Sequence, residues 1–201
     1  MKLYVSPTSP YARKCRTLII EKSLERQIEI VDCAPLDDPS DLLALNPLGK
    51  VPVLERERGS ALMDSPLICE FIDSLTDENW IPARGASRFS VLRQQALADG
   101  LIDLIMGRRI EMGRDASLQY PFWTARWERA IARTMAALTE ERAQFERSVD
   151  LGALAVAAAL GYMDLRYADY GWRDRHPELV DFAARWDARD SFIQTAPPAG
   201  A

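Results

Sequence analysis

Residues 2–31 read K-L-Y-V-S-P-T-S-P-Y-A-R-K-C-R-T-L-I-I-E-K-S-L-E-R-Q-I-E-I-V. Lys2–Val5 is a short, mostly apolar run that suits a strand. From Pro10 onward Ala12, Cys15, Leu18 and Ile19 recur at helical spacing, so a helix follows. Residues 27–31 alternate and carry β-branched side chains, which predicts a second strand. Strand, helix and strand in about thirty residues make a βαβ unit with its first two strands parallel.

Outward from that unit, residues 37–45 suit a short helical turn, broken by Asn46-Pro47-Leu48-Gly49. Residues 51–55 predict a third strand with Pro52 near its start. Gly59 marks a turn, and residues 60–63 predict a short fourth strand. Ser65-Pro66 then opens a helix with Leu67, Ile68, Phe71, Ile72 and Leu75 on one face. Residues 78–85, E-N-W-I-P-A-R-G, have no period and read as a linker. Beyond it the pattern is helical. Phe89, Leu92, Ala96, Leu101, Leu104 and Ile105 stripe one long helix, and Trp123, Trp127, Ile131, Met135, Leu138 and Phe145 a second. The run from Leu151 is apolar all round and predicts a central buried helix capped by Asp150. A last helix starts near Pro177, and the Pro/Ala/Gly-rich residues 195–201 are expected to fray. The expected organisation is an α/β domain over residues 1–77, a linker over 78–85, and an all-α domain over 86–201.

A chain of 201 residues can bury one good core or two small ones. A formal net charge of −5, with no basic stripe, argues against a nucleic-acid partner. No basic-then-apolar leader precedes the first strand, and residues 151–163 are too few to span a bilayer. The expectation is a cytoplasmic protein without a membrane partner. Cys15, Cys33 and Cys69 are scattered and form no C-x-x-C, so spacing suggests neither a metal site nor a dithiol pair. The single histidine, His176, precedes Pro177 and reads as a surface cap at a helix start.

Three stretches can carry chemistry. Ser9-Pro10 is a helix start: serine caps well, and proline at the first helical position has no N–H to leave unpaired. A capping hydroxyl accepts from the helix but keeps its own proton to donate, beside the positive end of the helix dipole. Ser9 is therefore either punctuation or a stabiliser of an anion. Asp64-Ser65-Pro66 repeats the pattern, with Ser65 as the cap and Asp64 able to hold a cationic amine. Gly49-Lys50-Val51-Pro52-Val53 lies between them, and a proline cannot donate to a sheet ladder. Two resolutions are open. Pro52 begins an edge strand in the trans form, or Val51-Pro52 is cis in a tight turn and leaves Val51 backbone groups for an extended, peptide-like ligand.

The set S-P-T-S-P-Y-A-R-K, N-P-L-G-K-V-P-V-L and D-S-P-L-I-C-E-F-I-D, in this order, resembles the cytosolic glutathione transferases, and most of all their bacterial YibF-like branch. The likeness extends to L-A-V-A-A-A-L-G-Y-M-D-L-R and to S-F-I-Q-T-A-P-P near the end. It implies a thioredoxin-like N-terminal domain, an all-helical C-terminal domain, a homodimer, and a detoxifying transferase with glutathione as cosubstrate and no resident cofactor. By motif position, Ser9 faces the glutathione sulfur and Val51, before cis Pro52, pairs with its cysteinyl backbone. Asp64 and Ser65 hold the γ-glutamyl end. Lys50 neutralises the glycyl carboxylate or is a solvated loop lysine. Met106 and Arg109, on the long helix, are candidates for the wall of the cleft that takes the electrophile.

Three departures from the family pattern stand out. Asp64 replaces a frequent Glu, which shortens its reach. Asp150 is the cap of the central helix, with Ala153 where an acid is common. Ser9 stands where thiol-transferase relatives carry Cys, which weakens a disulfide-exchange reading. The expected activity is conjugation of glutathione to a small electrophile. The alternatives are glutathione-dependent peroxide reduction and a binding or regulatory protein like the stringent starvation protein.

Overall fold

The computed structural model describes residues 1–200. Strands β1 (Lys2–Val5), β2 (Glu29–Asp32) and β3 (Val53–Glu55) form one sheet in the order β2-β1-β3. β1 runs parallel to β2, from Lys2↔Glu29 to Val5↔Asp32, and antiparallel to β3, from Lys2↔Glu55 to Tyr4↔Val53. Leu3 and Val5 alternate into the core, as a period of two demands. Helix α1 (Pro10–Glu21) makes the crossover, so the βαβ unit is present. β2 starts later than the sequence suggests because Gln27 and Ile28 first close a turn on the Leu24 carbonyl. Ile28 is buried there as an anchor.

The expected fourth strand contracts to a single bridge, Leu54↔Leu62. Gly59, at φ +84°, and Arg56, whose guanidinium donates to the Ser60 carbonyl, bend the chain too tightly for a longer ladder. Short helix α2 (Ser40–Leu45) precedes β3, and α3 (Ser65–Asp73) follows the bridge.

The chain divides into two units: Met1–Ala83 with the segment from Asp187 onward, and Arg84–Trp186. This differs from the expected division at two places. Residues 78–81 are not linker, because Trp80 and Ile81 are buried and their N–H groups both donate to the Asp73 carboxylate, at 2.8 and 2.9 Å. Lys22 Nζ sits 2.8 Å from the same carboxylate, so the charge is paired as well as hydrogen-bonded. The second difference is that α9 (Asp190–Gln194) packs on α1. Arg13 donates to the Phe192 carbonyl at 3.0 Å with its guanidinium 4.2 Å over the Phe192 ring, and the Thr17 and Thr195 hydroxyls meet at 3.0 Å. Thr195 is thus buried rather than frayed, and Ala201 lies outside the described residues.

In the second unit α4 (Ala86–Met112), α5 (Pro121–Glu140) and α6 (Leu151–Arg166) pack together, with α7 (Trp172–Arg175) and α8 (Val180–Asp187) after them. Residues 151–160 of α6 are all buried, as its uniform apolarity requires. Gly152 permits the close approach of α4: a Cβ there would lie 2.3 Å from Gln94 Oε1 and 3.0 Å from the Val91 carbonyl. The stripe expected on α4 is only partly right. Phe89 is 71 % exposed and Ala96 is exposed, while Val91, Ala98, Leu101, Ile102 and Ile105 are buried together with Gln94 and Gln95. Two buried glutamines hid the true face from a hydrophobicity pattern. On α5, Ile131, Met135 and Leu138 are buried but Trp123 is exposed; Phe145, beyond the helix end, packs edge-on against Phe182 at 5.0 Å. Among the described residues, no helix is long and apolar enough to cross a membrane.

Candidate functional site

Sheet register gathers the three predicted motifs. β3 is antiparallel to β1, so the segment leading into it lies at the edge where β1 finishes. Leu62 pairs antiparallel with Leu54, so the chain through Leu62 runs back toward that edge. Ser9, Val51-Pro52 and Asp64-Ser65 therefore share one end of the sheet, and the N-termini of both α1 and α3 fall there.

Ser9 is the N-cap of α1: its Oγ accepts the Ala12 N–H at 3.2 Å, and Pro10 occupies the first helical position. A backbone turn, from Ser9 N–H to the Ser6 carbonyl at 3.0 Å, fixes the approach. Ser9 is half-buried, and its hydroxyl proton is available beside the electropositive helix end.

The Val51-Pro52 bond is cis, and both residues lie before the β3 ladder begins. Asn46 shapes this loop. Its amide donates to the Lys50 carbonyl at 2.9 Å, while its side-chain oxygen and backbone carbonyl accept from Leu48 and Gly49 at 3.1 and 3.0 Å. Asn46 is buried, so those bonds hold the loop from inside. Gly49 takes φ +62°, the left-handed conformation that closes the turn. Lys50 is exposed and Val51 half-buried.

At α3 the structure corrects the sequence reading. Asp64, not Ser65, holds the cap position, and the Asp64 side chain makes no capping bond; its backbone carbonyl accepts from Ile68 N–H at 3.0 Å. Ser65 is the first helical residue. Asp64 is exposed and joined to Met63 by a cis peptide bond. Ser65 is 1 % exposed, yet among the described residues nothing pairs with its hydroxyl. An unpaired buried hydroxyl at a helix N-terminus is costly unless it has a ligand to serve.

Met106 and Arg109 belong to the helical unit. Met106 is half-buried, and its sulfur accepts from the Tyr162 hydroxyl at 3.6 Å. Burial raises the Tyr162 pKa, opposed by the positive charges of Arg109 and Arg166. The sequence carried no signal for Tyr162, which lies in an unbroken apolar run. His176 holds the cap position before Pro177, as expected, but its half-buried ring makes no capping bond: its Nδ1 meets Thr139 Oγ1 at 3.0 Å, and burial lowers its pKa. Because Thr139 donates to the Met135 carbonyl, the ring nitrogen is the donor in that pair. Among the described residues, no three His, Cys, Asp or Glu side chains cluster as metal ligands would.

Residues 8–75 match the family model described as glutathione S-transferase, N-terminal domain. Over 98 % of its length the chain is 33 % identical to the uncharacterized GST-like protein YibF of Escherichia coli (strain K12), covering 99 % of that protein. A glutathione transferase family member from Pseudomonas fluorescens Pf-5, solved with bound glutathione, superposes with a TM-score of 0.94 at 32 % identity, over 98 % of this chain and 99 % of that one. The same family member was solved with S-(propanoic acid)-glutathione; there the TM-score is 0.90 at 32 % identity, over 99 % of this chain and all of the other. The small mixed sheet followed by helices is the thioredoxin-like and all-helical pairing of that fold.

Proposed function

The chain belongs to the glutathione S-transferase family, and from that premise we propose that it is an enzyme conjugating the glutathione thiolate to a small, electrophilic, hydrophobic acceptor. Glutathione lies along the sheet end that carries Ser9, Val51-Pro52 and Asp64-Ser65. Asp64 accepts from the γ-glutamyl ammonium and Ser65 donates to the neighbouring carboxylate at the α3 N-terminus. Val51 pairs with the cysteinyl backbone, and Lys50 faces the glycyl carboxylate. The observation that carries this reading is the buried, unpartnered Ser65 hydroxyl beside an exposed acid.

Ser9 supplies the chemistry. An unperturbed thiol has a pKa of about 8.5 and is only a few per cent ionised at neutral pH. Lowering that value by about two requires roughly 2.7 kcal/mol of preference for the thiolate. One charge-assisted hydrogen bond from Ser9 together with the α1 N-terminus is of that order. The thiolate then attacks the acceptor carbon: the S–C bond forms, and the electron pair moves onto a leaving group or along a conjugated system. We propose Met106 and Arg109 as contacts of the acceptor. The relative that holds S-(propanoic acid)-glutathione supports a small acceptor. The proposal also includes a cytoplasmic location, no resident cofactor, and a homodimer; sedimentation velocity is the check on the dimer.

Calorimetry with reduced glutathione, followed by thiolate absorbance against pH, tests the reading. Binding and a bound thiol titrating well below 8 are expected. Ser9→Ala should keep most of the affinity and raise the bound thiol's pKa by one or more (roughly, from the charge-assisted bond it removes). An unchanged pKa removes Ser9 from the mechanism, and no binding at millimolar glutathione favours the regulatory alternative.

A further inference from the structure

Cys15 on α1 and Cys69 on α3 are 54 positions apart, yet their sulfurs lie 3.6 Å from each other. Both are reduced and fully buried, in the packing between α1 and α3. Cys15 Sγ also approaches the Ser65 carbonyl at 3.9 Å. Sulfurs in contact need to close by only about 1.5 Å to reach bonding distance.

We propose that Cys15 and Cys69 form a redox site that a hydroperoxide converts reversibly into an intramolecular disulfide. One thiolate attacks the peroxide: its S–O bond forms, the O–O bond breaks, and the alkoxide or hydroxide leaves to take up a proton. The second thiolate attacks the resulting sulfenic sulfur, the S–S bond forms, and the S–O bond breaks to release water. Two thiols and ROOH become a disulfide, ROH and water, each cysteine sulfur losing one electron and the peroxide gaining two. The neighbouring sulfur captures the sulfenic acid before further oxidation, the task of a resolving cysteine. Burial makes the first step wait for a local opening between α1 and α3, so conversion takes minutes or longer (of the order of uncatalysed disulfide chemistry). Because Cys15 touches the first residue of α3, the redox state of the pair is felt where Ser65 is held.

Cys33 is the internal control. It follows β2 on the chain, is half-exposed, and burial together with the charge of Asp37 pushes its thiol pKa up. The full chain, reduced and then treated with hydrogen peroxide, is denatured in N-ethylmaleimide and mapped by mass spectrometry. A linked Cys15–Cys69 peptide pair about 2 Da below the sum of the two peptides is expected, with Cys33 alkylated and the link abolished by dithiothreitol. In Cys69→Ala, Cys15 should be recovered without a disulfide to Cys33. Should that variant fold poorly, the peptide map of the unaltered chain decides alone. Recovery of both buried thiols alkylated after oxidation, a link through Cys33, or sulfinic acid in place of the disulfide overturns the proposal.

Discussion

Arg189 grips Glu21 through both carboxylate oxygens, Nε to Oε1 at 2.8 Å and a terminal nitrogen to Oε2 at 2.6 Å, across 168 positions of sequence. The Ser191 hydroxyl donates to the same carboxylate. Two parallel bonds of this kind fix orientation as well as charge. They fasten the returning segment to the C-terminal end of α1.

That pair gives a pH-dependent prediction. Burial disfavours the Glu21 carboxylate, but the bonds from Arg189 and Ser191 outweigh it and hold its pKa below the ordinary value. A depressed acid contributes stability that is complete above its unfolded pKa and lost as pH falls through the folded one. Glu21→Gln should cost about 1–2 kcal/mol at pH 7, a reduced figure because a third of the Arg189 side chain is in solvent. The gap between the two proteins should narrow below about pH 4 in urea unfolding. An equal gap at all pH values would show that packing, not charge, is lost.

Ser65→Ala separates binding from folding. A buried hydroxyl with no partner contributes nothing to the unliganded protein, so its removal should leave the urea midpoint unchanged or slightly raised. Glutathione affinity, measured by calorimetry, should fall about ten- to a hundredfold, the worth of one bond to a charged group. A destabilised variant with normal affinity would make Ser65 a structural residue only.

Asp150 distinguishes a cap from a charge. Its carboxylate accepts the Ala153 N–H at 2.8 Å, but burial, the larger influence, raises its pKa above the ordinary value despite the helix donors. A raised acid is fully stabilising below its unfolded pKa and loses that contribution as pH rises through the folded one. Asp150→Ala should cost about 1 kcal/mol at neutral pH by removing the cap. Asp150→Asn keeps an accepting oxygen without the buried charge, so it should equal or exceed the parent at pH 7 and lose that advantage near pH 4 (about the unfolded value).

Local signals carried far. Strand, Ser-Pro helix start and strand were legible because propensity, capping chemistry and period agree over residues 2–31, whereas the end of the sheet shared by Ser9, Pro52 and Ser65 follows only from the observed pairing of β3 and Leu62. What stayed hidden depends on partners far along the chain. Trp80 and Ile81 resemble linker until Asp73 and Lys22 are seen to hold them. Gln94 and Gln95 are polar by composition but buried, Gln94 against Gly152 of α6, so the inward face of α4 could not be read from apolar spacing. Cys15 and Cys69 form no short motif because two helices, not one loop, bring them together. Ser65 differs from its expected place for a smaller reason: local sequence fixes a helix start only to within a residue or so, and the acid before Ser65 takes the cap position.

The docking of Asp190–Gln194 on α1 makes the helical unit an insertion within the other one. During synthesis, the ribosome must therefore translate the whole inserted unit before the first unit can be finished. Arg13, Thr17 and Glu21 emerge early and stay hydrated until Phe192, Thr195 and Arg189 follow.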